Sequence, residues 1–211
     1  MKPLFRVLNR WPWLAFALIG YYLPWVYHRA AGLTFNAYDL AEWVSLSPEA
    51  RGGGLPLLIP FLLRFALVGI ALMCGIRAAI SNHSVSRGLY MLLALVLTLN
   101  LLPPVDFFKG ASDDPNYRQQ FILAIGTLIS LGVMVFVRRR VPATARWNLI
   151  ALIISFAAGA CALAGNLLGL YVVQSLKLDE TLGSGMLLYV ACMGMAVLAL
   201  TGGGPEGSGP T

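Results

Sequence analysis

Six apolar runs of roughly membrane-crossing length, each broken by a short polar segment, constrain this chain more than any other feature. They cover residues 11–27, 56–76, 88–104, 120–137, 147–172 and 182–201. A helix crossing a hydrocarbon core about 30 Å thick needs about 20 mainly apolar residues, with roughly 17–25 usual. Only a backbone that satisfies its own N–H and C=O groups is tolerated there, which favours helices. Charged residues make up 11% of the chain, less than half the roughly 25% of a soluble domain. The expected fold is therefore all-α: a polytopic integral membrane helical bundle of six transmembrane helices in three hairpins. Residues 1–201 form a single domain, and 202–211 (GGGPEGSGPT) form a flexible Gly/Pro-rich tail.

Charge placement gives an orientation. If six helices alternate, Lys2, Arg6, Arg10, Arg77, Arg87, Arg138, Arg139, Arg140 and Arg146 share one side. The other side receives Arg29, Arg51, Lys109, Arg118 and Lys177. Basic residues accumulate in cytoplasmic loops, so both termini are expected in the cytoplasm, in a bacterial cytoplasmic (inner) membrane. Every acidic residue except Glu206 then lies outside. Trp11, Trp13 and Trp147 are expected at the inner interface. Tyr21, Tyr22, Trp25, Tyr27 and Tyr171 are expected at the outer one, as aromatic belts. The net charge of +6 reflects this topology and gives no reason to invoke nucleic acid. Lys2, Arg6 and Arg10 before an apolar run suggest a signal peptide. No small-residue cleavage site follows, since His28-Arg29-Ala30-Ala31 puts bulky side chains there. An uncleaved first helix is expected.

Outer loop one carries local structure. Asn36 is a candidate N-cap with Asp39 three residues on, a variant capping box. Leu40, Trp43 and Val44 share a face, which predicts a short amphipathic helix on the outer interface. Ser47-Pro48-Glu49 reads as a second helix start with proline in the first turn, closed by Gly52-Gly53-Gly54.

Arg64 is the one charge well inside a span. Twelve residues separate it from Arg77, or roughly 20 Å at about 1.5 Å each. It should lie some 10 Å below the outer surface of a core about 30 Å thick. Such a charge is costly, and a structural ion pair with Asp39 or Glu42 is the favoured reading. Asp106 is a third candidate partner for that pair, and snorkelling towards headgroups and a substrate or ion site are the alternatives. His28 and His83 fall on opposite sides, and no span holds a histidine at depth, so neither a metal nor a haem-like cofactor is implied. Cys74, Cys161 and Cys192 lie in apolar runs without CxxC spacing and read as small buried hydrophobes.

On the fifth helix Ala157, Cys161, Gly165 and Gly169 recur every four residues, with Asn166 beside them. A small-xxx-small ridge of this kind admits a close neighbouring backbone. Ala191 and Gly194 serve similarly on the sixth. Arg138-Arg139-Arg140 and Arg146 form a basic inner loop with an affinity for anionic headgroups.

Gly183-Ser184-Gly185 at a helix mouth resembles the serine motif of rhomboid proteases, which also have six helices. A rhomboid activates its serine with a histidine on a later helix, and no histidine follows position 83. No Walker loop, HExxH or CxxC occurs either. These readings point to a non-catalytic membrane subunit whose partners are membrane lipids and other membrane protein subunits. The alternative is a small-molecule transporter or substrate-capturing subunit. In size and topology the chain is similar to the vitamin-capturing subunits of energy-coupling transporters. Their paired alanines four apart on the first helix are absent, since Ala15 and Ala17 lack partners at that spacing.

Overall fold

A computed structural model of the chain describes residues 12–28, 34–52, 57–81, 83–138, 144–175 and 180–201. The tail 202–211, the basic stretch through Trp11, Gly53-Gly54 and the pair Arg139 and Arg140 lie outside the described residues. The chain is mainly helical. In order come α1 (Pro12–Tyr22), β1 (Val26–His28), β2 (Thr34–Phe35), α2 (Ala37–Ser45), α3 (Pro48–Gly52) and α4 (Leu58–Ile80). Then follow α5 (Ser84–Leu99), α6 (Val105–Phe108), α7 (Pro115–Val137), α8 (Thr144–Ser175), β3 (Glu180–Leu182) and α9 (Ser184–Thr201). Three of these helices are long and apolar enough to cross a membrane: α4, α7 and residues Arg146–Ser175 of α8. Helix α5 and Ser184–Leu198 of α9 are shorter apolar helices.

Helix α4 is the centre of the bundle, packed against α8, α5, α7, α2 and α1. Its apolar window is 72% buried, against 28% for each of α7 and α8. Small residues allow this. Gly69 lies against Ala158 of α8, and Gly75 lies against Leu131 and Met134 of α7. Lipid supplies no hydrophobic force between helices, so close approach and van der Waals contact hold them together.

Two features of the sheet end depart from the all-α expectation. The first span does not stay helical to residue 27. Helix α1 stops at Tyr22, and Leu23-Pro24 turns the chain into β1. Strand β1 then pairs antiparallel with β2 (Val26 opposite Phe35) and with β3 (Val26 opposite Leu182, His28 opposite Glu180). The sheet order is β2-β1-β3, so it joins loop one to the segment between α8 and α9. Its strands are two or three residues long, too short to show the alternation that marks a strand in sequence.

Helix α2 forms as the Asn36 cap dictates. The Asn36 side chain accepts from the Asp39 N–H at 2.9 Å. Its apolar face does not rest on an interface, however. Leu40, Ala41 and Val44 are fully buried, packed mainly against α4. The expected aromatic belts divide in the same way. Tyr22, Tyr27 and Tyr171 are exposed, while Trp13, Tyr21, Trp25 and Trp147 are buried in the protein. The Trp25 indole N–H is occupied by the Gly20 carbonyl at 2.8 Å, which removes its need for the wet interface.

Glycines set how closely α1 and α9 meet. The Gly183 and Gly185 N–H groups donate to Trp25 and Pro24 carbonyls at 2.7 and 2.9 Å. A Cβ on Gly183 would overlap the Pro24 carbonyl, and one on Gly20 would sit 2.8 Å from the Tyr189 nitrogen. Gly126 on α7 has no atom within 4 Å of such a Cβ. Gly183→Ala is therefore expected to lower unfolding stability by about 1–3 kcal/mol through overpacking. Gly126→Ala should be neutral or raise it by up to about 1 kcal/mol through helix propensity. Thermal melts of the detergent-solubilised protein check this, and equal melting points for the two variants would refute the packing account.

Candidate functional site

Arg64 lies nearly two turns into α4, with 1% of its side chain exposed. Its Nη2 donates to Glu42 Oε1 at 2.7 Å and its Nη1 donates to Gln119 Oε1 at 3.1 Å. The ion pair expected from sequence is present with Glu42. It is not made with Asp39, which is exposed and whose carboxylate accepts the Asn36 Nδ2 at 2.8 Å. The difference is helical geometry. Asp39 belongs to the capping turn of α2, while Glu42 lies three residues further along, within reach of α4 and α7.

The sequence reading did not include three amides of α7. Gln120 Nε2 donates to Glu42 Oε1 at 2.6 Å and Asn116 Nδ2 donates to Oε2 at 3.5 Å. Gln119 accepts from Arg64 and donates its Nε2 to the Leu57 carbonyl at 2.9 Å. Asn116, Gln119 and Gln120 fall at i, i+3 and i+4, one face of the first turns. That polar face at the mouth of a spanning helix is the signal that could have found them. Asp114 caps the helix by accepting from the Asn116 N–H at 2.8 Å, and it also holds Arg51 at 3.3 Å. The carbonyl that Gln119 binds belongs to Leu57, whose φ of 58° is left-handed, a conformation costing about 1–3 kcal/mol for a residue with a side chain.

Two phenols border the pair. Tyr21 is fully buried near Arg64, Tyr38 and Glu42, and its hydroxyl has no partner among the described residues. Tyr38 on α2 is half-buried. Burial raises its hydroxyl above the usual tyrosine value, and the Glu42 charge adds to that, so it stands as a neutral O–H at physiological pH. The whole arrangement is electrically balanced. Both terminal guanidinium nitrogens are occupied by the chain itself, and the buried Arg64 Nε has no partner among the described residues.

The fifth-helix ridge needs correction. Gly165 and Gly169 are buried against α4 and α2: a Cβ on Gly165 would lie 3.0 Å from Leu62 Cβ, and one on Gly169 would lie 3.3 Å from Leu40 Cδ2. Ala157 and Cys161 are only half-buried. At 3.6 residues per turn, a strict four-residue repeat drifts about 40° at each step. The inward face instead follows Ala151, Ser155, Ala158, Ala162, Gly165 and Gly169. This face is filled from within the chain and is closed to a partner. Asn166, fully buried, was expected to hydrogen-bond across helices. Neither its Oδ1 nor its Nδ2 finds a partner among the described residues.

Beside that face an open apolar groove of about 330 Å³ runs between α8 and α9, lined by Ser155, Gly159, Ala160, Leu163, Met193 and Gly194 among others. A Cβ on Gly194 would touch nothing within 4 Å. Comparison with models of protein families, with curated proteins and with solved structures finds no match to this chain.

The ion pair is testable as a coupling. Arg64→Leu and Glu42→Leu should each destabilise, with a double-mutant coupling of about 1–3 kcal/mol. Arg64→Leu with Asp39→Asn should be additive within about 0.5 kcal/mol. Chemical or thermal unfolding of the three single and two double variants measures both. Coupling to Asp39 in place of Glu42 would overturn this geometry.

Proposed function

We propose that the chain is a non-catalytic integral membrane subunit that packs within a larger membrane protein complex. The groove between α8 and α9 carries this reading. Its lining is mainly apolar and includes Gly159, Ala160 and Gly194, the residue sizes that allow a second helix to approach closely. Large apolar side chains such as Phe156, Leu167 and Leu187 are exposed on the same two helices. The one deeply buried charge among the described residues near the sheet end is committed to the chain's own Glu42 and Gln119, which supports a structural role for it over a substrate site.

The second reading, a small-molecule transporter or substrate-capturing subunit, is favoured by one observation. The buried amide of Asn166 and the Tyr21 hydroxyl both lack partners among the described residues. Purification in mild detergent separates the two readings. The subunit reading expects stoichiometric co-purifying chains. Gly194→Leu should release them while leaving the melting point within about 2 °C, since the added atoms enter open space. A monomer carrying a tightly bound small molecule would sink the subunit reading, and so would a groove occupied only by lipid.

Six membrane-crossing helices in three hairpins, with both termini in the cytoplasm of a bacterial inner membrane, complete the proposal. The basic residues gathered on one side support the orientation. The up-and-down alternation is supported by contacts that return α5 to Tyr22 at the sheet end (Asn100 Nδ2 to the Tyr22 hydroxyl, 3.2 Å) and bring the end of α7 to Ser81 (Arg138 Nη2 to the carbonyl, 3.4 Å). Reporter fusions after residues 83, 142 and 205 should read cytoplasmic, and those after 45, 112 and 178 external. A cytoplasmic signal at 112 would mean that α5 and α7 do not both cross.

A further inference from the structure

At the end of the bundle opposite the sheet, α4 finishes at Ile80, and two arginines from other segments converge on the next residue, Ser81. Arg87 Nη2, on the first turn of α5, donates to the Ser81 carbonyl at 3.3 Å. Arg138 Nη2, at the end of α7, donates to the same oxygen at 3.4 Å. Two guanidinium groups are thus held side by side by three separate segments of the chain. The Arg87 Nε is buried and has no hydrogen-bond partner among the described residues. Arg77, one turn before Ser81, lies next to Tyr90 and adds a third positive charge to this end.

The sequence offers these groups no carboxylate close along the chain. No Asp or Glu occurs between Glu49 and Asp106 or between Asp114 and Asp179. The described acids Asp39, Glu42, Glu49, Asp106, Asp113, Asp114 and Glu180 all belong to the segments at the sheet end. Among the described residues, what compensates Arg87 and Arg138 is the Ser81 carbonyl, set beside the negative end of the α4 dipole. That amounts to about half an elementary charge set against two full positive ones. A tetrahedral oxyanion would complete the balance, because guanidinium forks match the paired oxygens of a phosphate.

We infer that Arg87 and Arg138, straddling the C-terminal end of α4, form a binding site for a phosphate group, presented by the headgroup of an anionic phospholipid. This rests on the membrane reading above, which sets the end of a 23-residue apolar helix at headgroup depth. Basic side chains at that depth attract anionic lipid. Here the attraction comes from two guanidinium donors that a single carbonyl holds together.

The test uses the full chain, delipidated in detergent, with thermal unfolding and native mass spectrometry as readouts. Phosphatidylglycerol should remain bound and raise the melting point by several degrees, while phosphatidylcholine should do neither. Arg87→Gln and Arg138→Gln should each weaken phosphatidylglycerol binding by about tenfold, the effect of losing one charge-assisted contact. Arg118→Gln, an exposed residue at the other end, should leave it unchanged. Inorganic phosphate alone identifies the source. A rise with phosphatidylglycerol only assigns the site to lipid, and an equal rise with phosphate supports the phosphate site but overturns its assignment to lipid. Equal binding of the two phospholipids by the unaltered protein would overturn the site without recourse to any variant. Undiminished phosphatidylglycerol binding by Arg87→Gln and Arg138→Gln would do the same. A chain that stays monodisperse with neither detergent nor lipid would overturn the membrane reading instead.

Discussion

A guanidinium group cannot lie unpaired among apolar helices, and the sheet end of this protein is organised around that constraint. Removing one partner of a buried ion pair costs about 3–5 kcal/mol, a large fraction of a protein's usual stability margin of about 5–15 kcal/mol. Arg64 therefore recruits structure. Glu42 comes to it on α2, which must fold down onto α4 and bury Leu40, Ala41 and Val44 to do so. The amides of α7 complete the carboxylate's shell and tie a third helix to the same point. Gln119 extends the network to the carbonyl of Leu57, the strained residue from which α4 starts. A loop that would otherwise be free to move over the membrane surface becomes a fixed cover over the bundle.

The rest of the packing follows from side-chain size. Helix α4 accepts neighbours on nearly all sides because glycine and alanine recur along it. The sheet closes because Gly183 and Gly185 let α9 begin against the backbone of Pro24 and Trp25. These contacts are close and mostly apolar, and none requires water. The polar network and the glycine contacts thus divide the work: the first fixes loops to helices, and the second fixes helices to each other.

Much of this was legible in the sequence, for physical reasons that differ from residue to residue. The body of α4 could be read, though the span 56–76 starts two residues early and ends four residues short of Ile80, because an apolar run ending near basic residues has few alternatives. The Asn36 cap could be read because its hydrogen bond is local, spanning three residues. Arg64 and Glu42 could be singled out because an intramembrane charge demands a partner, yet Asp39 was an equal candidate until the turn geometry separated the two. The β-sheet was hidden because its pairings depend on distant segments and its strands are too brief to carry a period. The aromatic belt was misread at Tyr21 and Trp25 because an aromatic side chain near a helix end suits lipid headgroups and protein cores equally well. The ridge on α8 was misaligned because a four-residue repeat follows a straight helix only briefly before rotating off the face.

The unequal lengths of the helices have a consequence for the membrane itself. Helix α5 has 16 residues, or about 24 Å, while α8 has 32, or about 48 Å. No flat hydrocarbon slab about 30 Å thick matches both. If each crosses, the lipid beside α5 must compress while α8 tilts or projects beyond the core. The bilayer around the protein is then thinner on one flank than on the other. Such an asymmetric collar favours short-chain or loosely packed lipids at α5 and biases the protein towards thinner membranes. It also gives two copies, or a partner of matching profile, an elastic incentive to share the thinned flank.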